Sequence, residues 1–144
     1  MSDEVIAIAS DHGGFDLKEL LKADLEEMGY GIVDLGCHDS SSVNYPDYAD
    51  KMAAALLNDT AKRGVLICGS GIGISIAANR HAHIRAALVH DGLTAKLSRM
   101  HNDANVLVLG GRTTGIEVAK DCLKIFLDTE FEGGRHQTRI DIMS

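Results

Sequence analysis

Five short apolar runs, each closed by glycine or polar residues and followed by a helical repeat, constrain this chain more than any other feature. The runs are Val5–Ser10, 31–35, 64–68, 86–89 and 106–109. After the first, Leu17, Leu20, Leu21, Leu25 and Met28 recur at helical spacing, and Gly29 is a suitable stop. Further helices are predicted over 46–57, with Pro46 in the first turn, and from the glycine cluster behind Cys68 to about Ala78. Two more run from near Gly92 to about Met100 and over 115–127, while 36–44 reads as a polar loop. Such alternation predicts an α/β fold: a single doubly wound, Rossmann-like domain with a five-stranded parallel sheet flanked by helices. The 144 residues suit one domain over 1–144, with 132–144 as a tail, and no linker or repeat divides them. Only 4% are aromatic, so Ile, Leu, Val, Ala and Met must build the core.

In doubly wound sheets, ligands bind outside the carboxyl ends of the strands, where strand order reverses. Asp11-His12, Cys68-Gly69-Ser70, His90-Asp91 and Arg112 all follow strand ends and should share one edge. The densest local signal is Cys68-Gly69-Ser70-Gly71-Ile72-Gly73 between a strand and a helix. Glycines let the backbone turn tightly and aim several N–H groups at one point, and the helix start adds partial positive charge. An oxyanion or phosphate fits there, and a thiolate at Cys68 would suit base or nucleophilic catalysis. The spacing equally allows an inert, buried Cys68 beside a turn that merely needs glycine.

Three sharper readings of this loop fail on single residues. A dinucleotide fingerprint needs glycine where Ile74 stands, and it should follow the first strand. A thiol phosphatase needs arginine at that same position. A redox dithiol needs a second cysteine where Gly71 stands.

Two further segments carry candidate groups. His101, in His101-Asn102-Asp103 at a predicted helix end, is either an acid/base or a C-terminal cation. Arg135 and Arg139 would share a helix face and grip a phosphate, or form a solvated basic end. No Cys, His or carboxylate set has zinc spacing, so neither a metal nor an organic cofactor is expected.

The formal net charge of −7 argues against nucleic acid and acidic membranes as partners, so an anion site must be a local cluster of cations and N–H groups. The N-terminal apolar run is too short for a signal or a membrane span. Cys37, Cys68 and Cys122 are odd in number and widely spaced, which predicts free thiols and a cytoplasmic setting.

Taken together, these blocks resemble the type B ribose-5-phosphate isomerases and the related allose- and galactose-6-phosphate isomerases. The likeness runs through Asp11-His12-Gly-Gly, Tyr45-Pro46-Asp47, the stretch from Leu66 to Asn79, that from Leu97 to Val106, Gly111-Arg112 and that from Glu132 to Arg139. It implies that Cys68 shuttles a proton between C1 and C2 of an open-chain sugar phosphate. Backbone groups of Gly69, Gly71, Ile72 and Gly73 would hold the enediolate oxygens. Ser70, where the family more often has threonine, would relay a hydroxyl proton, and His101 would open the furanose ring. Asp11 and Asn102 match sugar-contacting positions, Tyr45 is counted as substrate-binding, and His12, Arg112, Arg135 and Arg139 match phosphate- or substrate-binding positions. Ile74 stands where a cysteine-less subgroup carries glutamate, so this is a cysteine-type chain.

The resemblance further implies a homodimer, or a tetramer built from it, with each site drawing residues from both subunits and 132–144 reaching the partner. The expected reaction interconverts ribose 5-phosphate and ribulose 5-phosphate. A 6-phosphate hexose substrate, or a sugar-phosphate-binding module without turnover, are the alternatives.

Overall fold

The computed structural model describes residues 3–144. Five strands, β1 (Val5–Ser10), β2 (Gly31–Asp34), β3 (Arg63–Cys68), β4 (Ala86–Leu88) and β5 (Val106–Gly110), form one sheet in the order β2-β1-β3-β5-β4. Every pairing is parallel; Ile8 lies opposite Val65, for example, and Ile67 opposite Leu109. The helices are α1 (Phe15–Glu27), α2 (Tyr45–Leu57), α3 (Ile72–Asn79), α4 (Gly92–Met100), α5 (Ile116–Asp128) and α6 (Arg135–Met143). None of the described helices is long and apolar enough to cross a membrane.

Strand position follows from composition. The residues of β5, VLVLG, are all buried, so this strand sits inside the sheet although it comes last in the chain. The short β4 and the half-buried β2 take the edges. Alternate residues serve opposite faces. Ile6, Ile8, Val65, Ile67, Leu107 and Leu109 pack under α1, α4 and α5, whereas Ala7, Ala9, Leu66, Cys68, Val106 and Val108 pack under α2 and α3. Both faces are therefore covered, as the doubly wound pattern predicts. The chain leaves β1 for β2 on one side and takes up β3 on the other, so strand order reverses between β1 and β3. Asp11 and Cys68 flank that point.

Helix α1 departs from its predicted stripe. Leu20 is exposed, while Lys18 is fully buried. Lys18 Nζ donates to Asp34 Oδ2 at 2.6 Å and Glu19 Oε2 at 3.1 Å, and Lys22 Nζ reaches the same two oxygens at 2.8 and 3.2 Å. A lysine enters the interior here because its charge is matched across elements. The tail is ordered as well. After Gly133 and Gly134, at φ of 71° and 60°, α6 begins and buries His136 and Ile140.

Candidate active site

Three loops meet at the carboxyl edge of β1, β3 and β5. Their backbones touch: a Cβ on Gly13 would lie 3.0 Å from the Gly69 nitrogen, and one on Gly111 would lie 2.5 Å from the Gly13 oxygen. Only glycine permits this approach. An open cleft of about 540 Å³ results, lined by Asp11, Tyr45, Cys68, Gly69, Ser70, Ile72, Gly73, Arg112 and Thr113. That volume suits a small metabolite.

Cys68 ends β3 with its side chain 4% exposed, and its Sγ accepts the Gly71 N–H at 3.1 Å. Gly71 adopts a φ of +78°, and a Cβ there would meet Leu88 Cδ1 at 2.5 Å and the Leu109 backbone at 3.0 Å. The conformation that aims this N–H at sulfur is thus closed to any other residue. Gly71→Ala is expected to cost at least about 2 kcal/mol of stability and to lower kcat in the protein that still folds. A thermal melt paired with steady-state kinetics checks both effects.

Ser70 Oγ accepts the Ile72 N–H at 3.2 Å, so the hydroxyl closes a serine turn leading into α3, as a threonine hydroxyl would. Its proton is left to donate into the cleft. The N–H groups of Gly69, Ser70 and Gly73 donate to no acceptor among the described residues. They are the free donors of an anion nest at a helix start. The Arg112 guanidinium lies over Gly69, with Nη1 3.4 Å from where a Cβ would stand, and forms no ion pair among the described residues.

Asp11 divides its work. One oxygen, Oδ1, accepts from the N–H groups of Gly13 and Gly14 at 2.9 and 3.2 Å, capping the turn His12–Gly14. The other oxygen is left for the cleft. The Nδ1 of His12 accepts the Val43 N–H at 3.2 Å, so in the neutral ring Nε2 carries the hydrogen and is a donor. Tyr45 begins α2, and its ring rests where a Gly73 side chain would be, 2.5 Å from the Cβ position.

Among the three thiols, burial, aided by the charges of Asp121 and Asp91, pushes Cys122 up to about 11. It stays protonated at neutral pH and faces the core away from the cleft. Cys37 Sγ donates to the Asp39 carbonyl at 3.3 Å in the 36–44 loop.

The remaining predicted residues lie elsewhere in the chain. In a parallel α/β unit the helix runs back against the strands, so α4 ends at the amino edge of the sheet. Its nine residues span about 13 Å, which carries His101 and Asn102 away from the Cys68 edge. Asn102 lines a second cleft with Asn79, His81, Arg85 and Met143, and its carbonyl accepts from Arg85 Nε at 3.1 Å. His101 stacks on His136, with centroids 4.3 Å apart and planes inclined by 16°, and its Nε2 lies 3.8 Å from Glu132 Oε1. Burial, with Arg135 and His101 close by, pushes His136 below the usual imidazole range, so its ring is neutral at physiological pH. Arg135 and Arg139 are exposed on α6, one turn apart.

One chain therefore carries two half-sets: a thiol, an anion nest and a cation at one edge, and a histidine pair beside two arginines at the other. Sequence reasoning missed Thr113, which lines the cleft, and Glu132 and His136, which flank His101. Only the Gly-Gly break hinted at a turn that returns 132–136 to the end of α4. Two bonds make the return: Glu132 N–H donates to the Met100 carbonyl at 3.1 Å and Arg99 Nε to the Thr129 carbonyl at 3.2 Å.

Comparison with known proteins identifies the family. A family model described as Ribose/Galactose Isomerase matches residues 6–143. The chain is 45% identical to ribose-5-phosphate isomerase B of Escherichia coli over 139 residues, covering 96% of this chain and 93% of that one. A ribose 5-phosphate isomerase structure from Thermotoga maritima superposes with a TM-score of 0.96 at 48% identity, covering 99% and 98% of the two chains. Ribose-5-phosphate isomerase B of Clostridium thermocellum gives 0.95 at 46%, covering 96% and 94%.

Proposed function

This chain belongs to the ribose/galactose isomerase family, and we propose that it interconverts ribose 5-phosphate and ribulose 5-phosphate with Cys68 as the base, in a site completed by a second copy of the chain. The observation that carries this reading is the Cys68 sulfur held by the Gly71 N–H in a loop whose Gly69, Ser70 and Gly73 N–H groups are unpartnered among the described residues, with the Arg112 guanidinium over Gly69. Moving a proton from C2 to C1 of an aldose needs a base within reach of both carbons and donors where the enediolate charge develops. Cys68 takes the C2 proton and returns it to C1. The free N–H groups of Gly69, Ser70 and Gly73 hold the negative oxygen, and the Ser70 hydroxyl passes a proton between O2 and O1.

The reaction also needs an opened ring and an anchored phosphate. His101 supplies the acid/base for ring opening, and Asn102, Arg135 and Arg139 come with it. These residues stand at the other edge of their own sheet, which supports a site made with a partner's copies of them. An exposed apolar face supports the same arrangement. Ile72, which lines the cleft, and Ile76, one turn further along α3, are 55% and 60% exposed, and a second copy would cover them. His12 Nε2–H and Arg112 then complete the phosphate grip. A homodimer in the cytoplasm fits this chemistry.

Ketose formation from a panel of aldose phosphates tests the reading. Ribose 5-phosphate is expected to give the highest kcat/KM. A tenfold preference for allose or galactose 6-phosphate would shift the assignment to a hexose phosphate. Tight binding without any ketose would make the chain a binding module.

A further inference from the structure

Folding assembles a cluster that residue spacing does not show. The ligand atoms of His101, Glu132 and His136 all lie within 4.8 Å of one another. His136 is 93% buried by its 7% exposure, and its Nε2 has no hydrogen-bond partner among the described residues. A buried imidazole nitrogen without a partner is costly, and it calls for a ligand. We propose that His101, Glu132 and His136 form a site for a divalent transition-metal ion, zinc above all, whose occupancy withdraws His101 from the reaction.

The donor set is chemically apt. Two imidazoles and one carboxylate, with a fourth position open to water, are a recurrent zinc environment. Bond lengths near 2 Å place tetrahedral ligand atoms about 3.3 Å apart, so the widest separation in the cluster must close by up to about 1.5 Å. His136 is fixed by burial on α6, and Glu132 is tied to α4 through its N–H bond to the Met100 carbonyl. His101 and Glu132 are partly exposed at their side chains, 36% and 42%, and can swing inward. The His101 ring turns out of its stack on His136 to present Nε2. Arg135 and Arg139 share α6 with His136 and oppose an incoming cation, so binding is weaker than at a four-ligand structural site.

Binding itself is independent of the isomerase assignment; the inhibitory consequence rests on His101 acting in the reaction. Co2+ titration of the full-length protein, followed by its visible absorption, separates the two. One equivalent per chain with a tetrahedral spectrum is expected, and Zn2+ should displace it. Glu132→Gln and His136→Gln, each first shown to fold by circular dichroism, should each weaken binding at least about tenfold. No binding, or binding unchanged in both variants, overturns the site. A thiolate-to-cobalt charge-transfer band, lost in Cys68→Ser, would place the ion at Cys68 and also overturn it. In parallel, Zn2+ should slow turnover and a chelator restore it. Metal bound at the cluster with turnover unaffected would keep the site and remove His101 from the reaction.

Discussion

Cys68→Ala is expected to lower kcat by about 10³-fold or more, the scale on which a positioned base contributes to a proton transfer. The fold should survive. The side chain is small, and alanine fills most of its place between β3 and α3. Its one hydrogen bond, from Gly71 N–H, ends at a helix start that water can reach through the cleft. KM should therefore change little, because the N–H nest and Arg112 remain. A second readout separates loss of the base from general damage. In D2O the wild-type protein should place deuterium on C1 of the ketose and, by the back-reaction, on C2 of the aldose, and the variant should not. Cys37→Ala and Cys122→Ala should retain turnover, since one thiol is bonded within the 36–44 loop and the other is protonated in the core. A Cys68→Ala rate within tenfold of wild type would contradict the assigned base.

The largest stability effect is expected at Lys18. Lys18→Met removes the cation but keeps the stem, leaving Asp34 and Glu19 with Lys22 alone. Breaking a buried pair on one side costs about 3–5 kcal/mol, and because Lys22 remains, a loss of about 3 is expected, or roughly 10 °C in Tm. The site should feel it too. Asp34 Oδ1 accepts the Gly36 N–H at 2.9 Å, and Gly36 and Cys37 bond to Ser10 at the end of β1. That loop continues to Val43, whose N–H orients His12. Weaker phosphate binding should thus accompany the lower Tm. The pH dependence has a definite sign. Burial raises the Asp34 carboxyl, but hydrogen bonds from Lys18, Lys22 and the Gly36 N–H outweigh it and hold the group below its usual range. Its stabilising contribution is present above the ordinary carboxylate range and is lost as pH falls through the lowered value. Lys18→Met should flatten this acid limb of a stability–pH profile. A Tm within 2–3 °C of wild type, which is about 1 kcal/mol for a chain of this length, would contradict the account of Lys18.

Much of the fold was legible because it is written in local periodicity. The first strand was predicted over Val5–Ser10, the bounds observed, and the other strands within one residue at either end. The cleft-forming loops were legible for the same reason, since strand ends in a parallel sheet share an edge. Strand order was not. Placing β5 between β3 and β4 depends on which strand is apolar on both faces once the sheet is assembled. The burial of Lys18 was not legible, because a lysine in a helix is normally solvated and its partner Asp34 lies on another element. Leu20 took its place in the predicted stripe for want of that information. His136 and Glu132 were invisible for a related reason. Their meeting with His101 depends on the left-handed turn at Gly133 and Gly134, which folds the tail back on α4.

In the proposed site, Cys68 comes from one copy of the chain and His101 from another. Subunit mixing tests it most directly. Cys68→Ala and His101→Ala proteins, each inactive alone, are unfolded together, refolded and assayed. If the site is shared, half the dimers are mixed and each carries one unaltered site, so about a quarter of wild-type activity should return. If Cys68 and His101 act within one chain, every mixed dimer holds two damaged sites, and activity staying at the level of the separate variants would contradict the account.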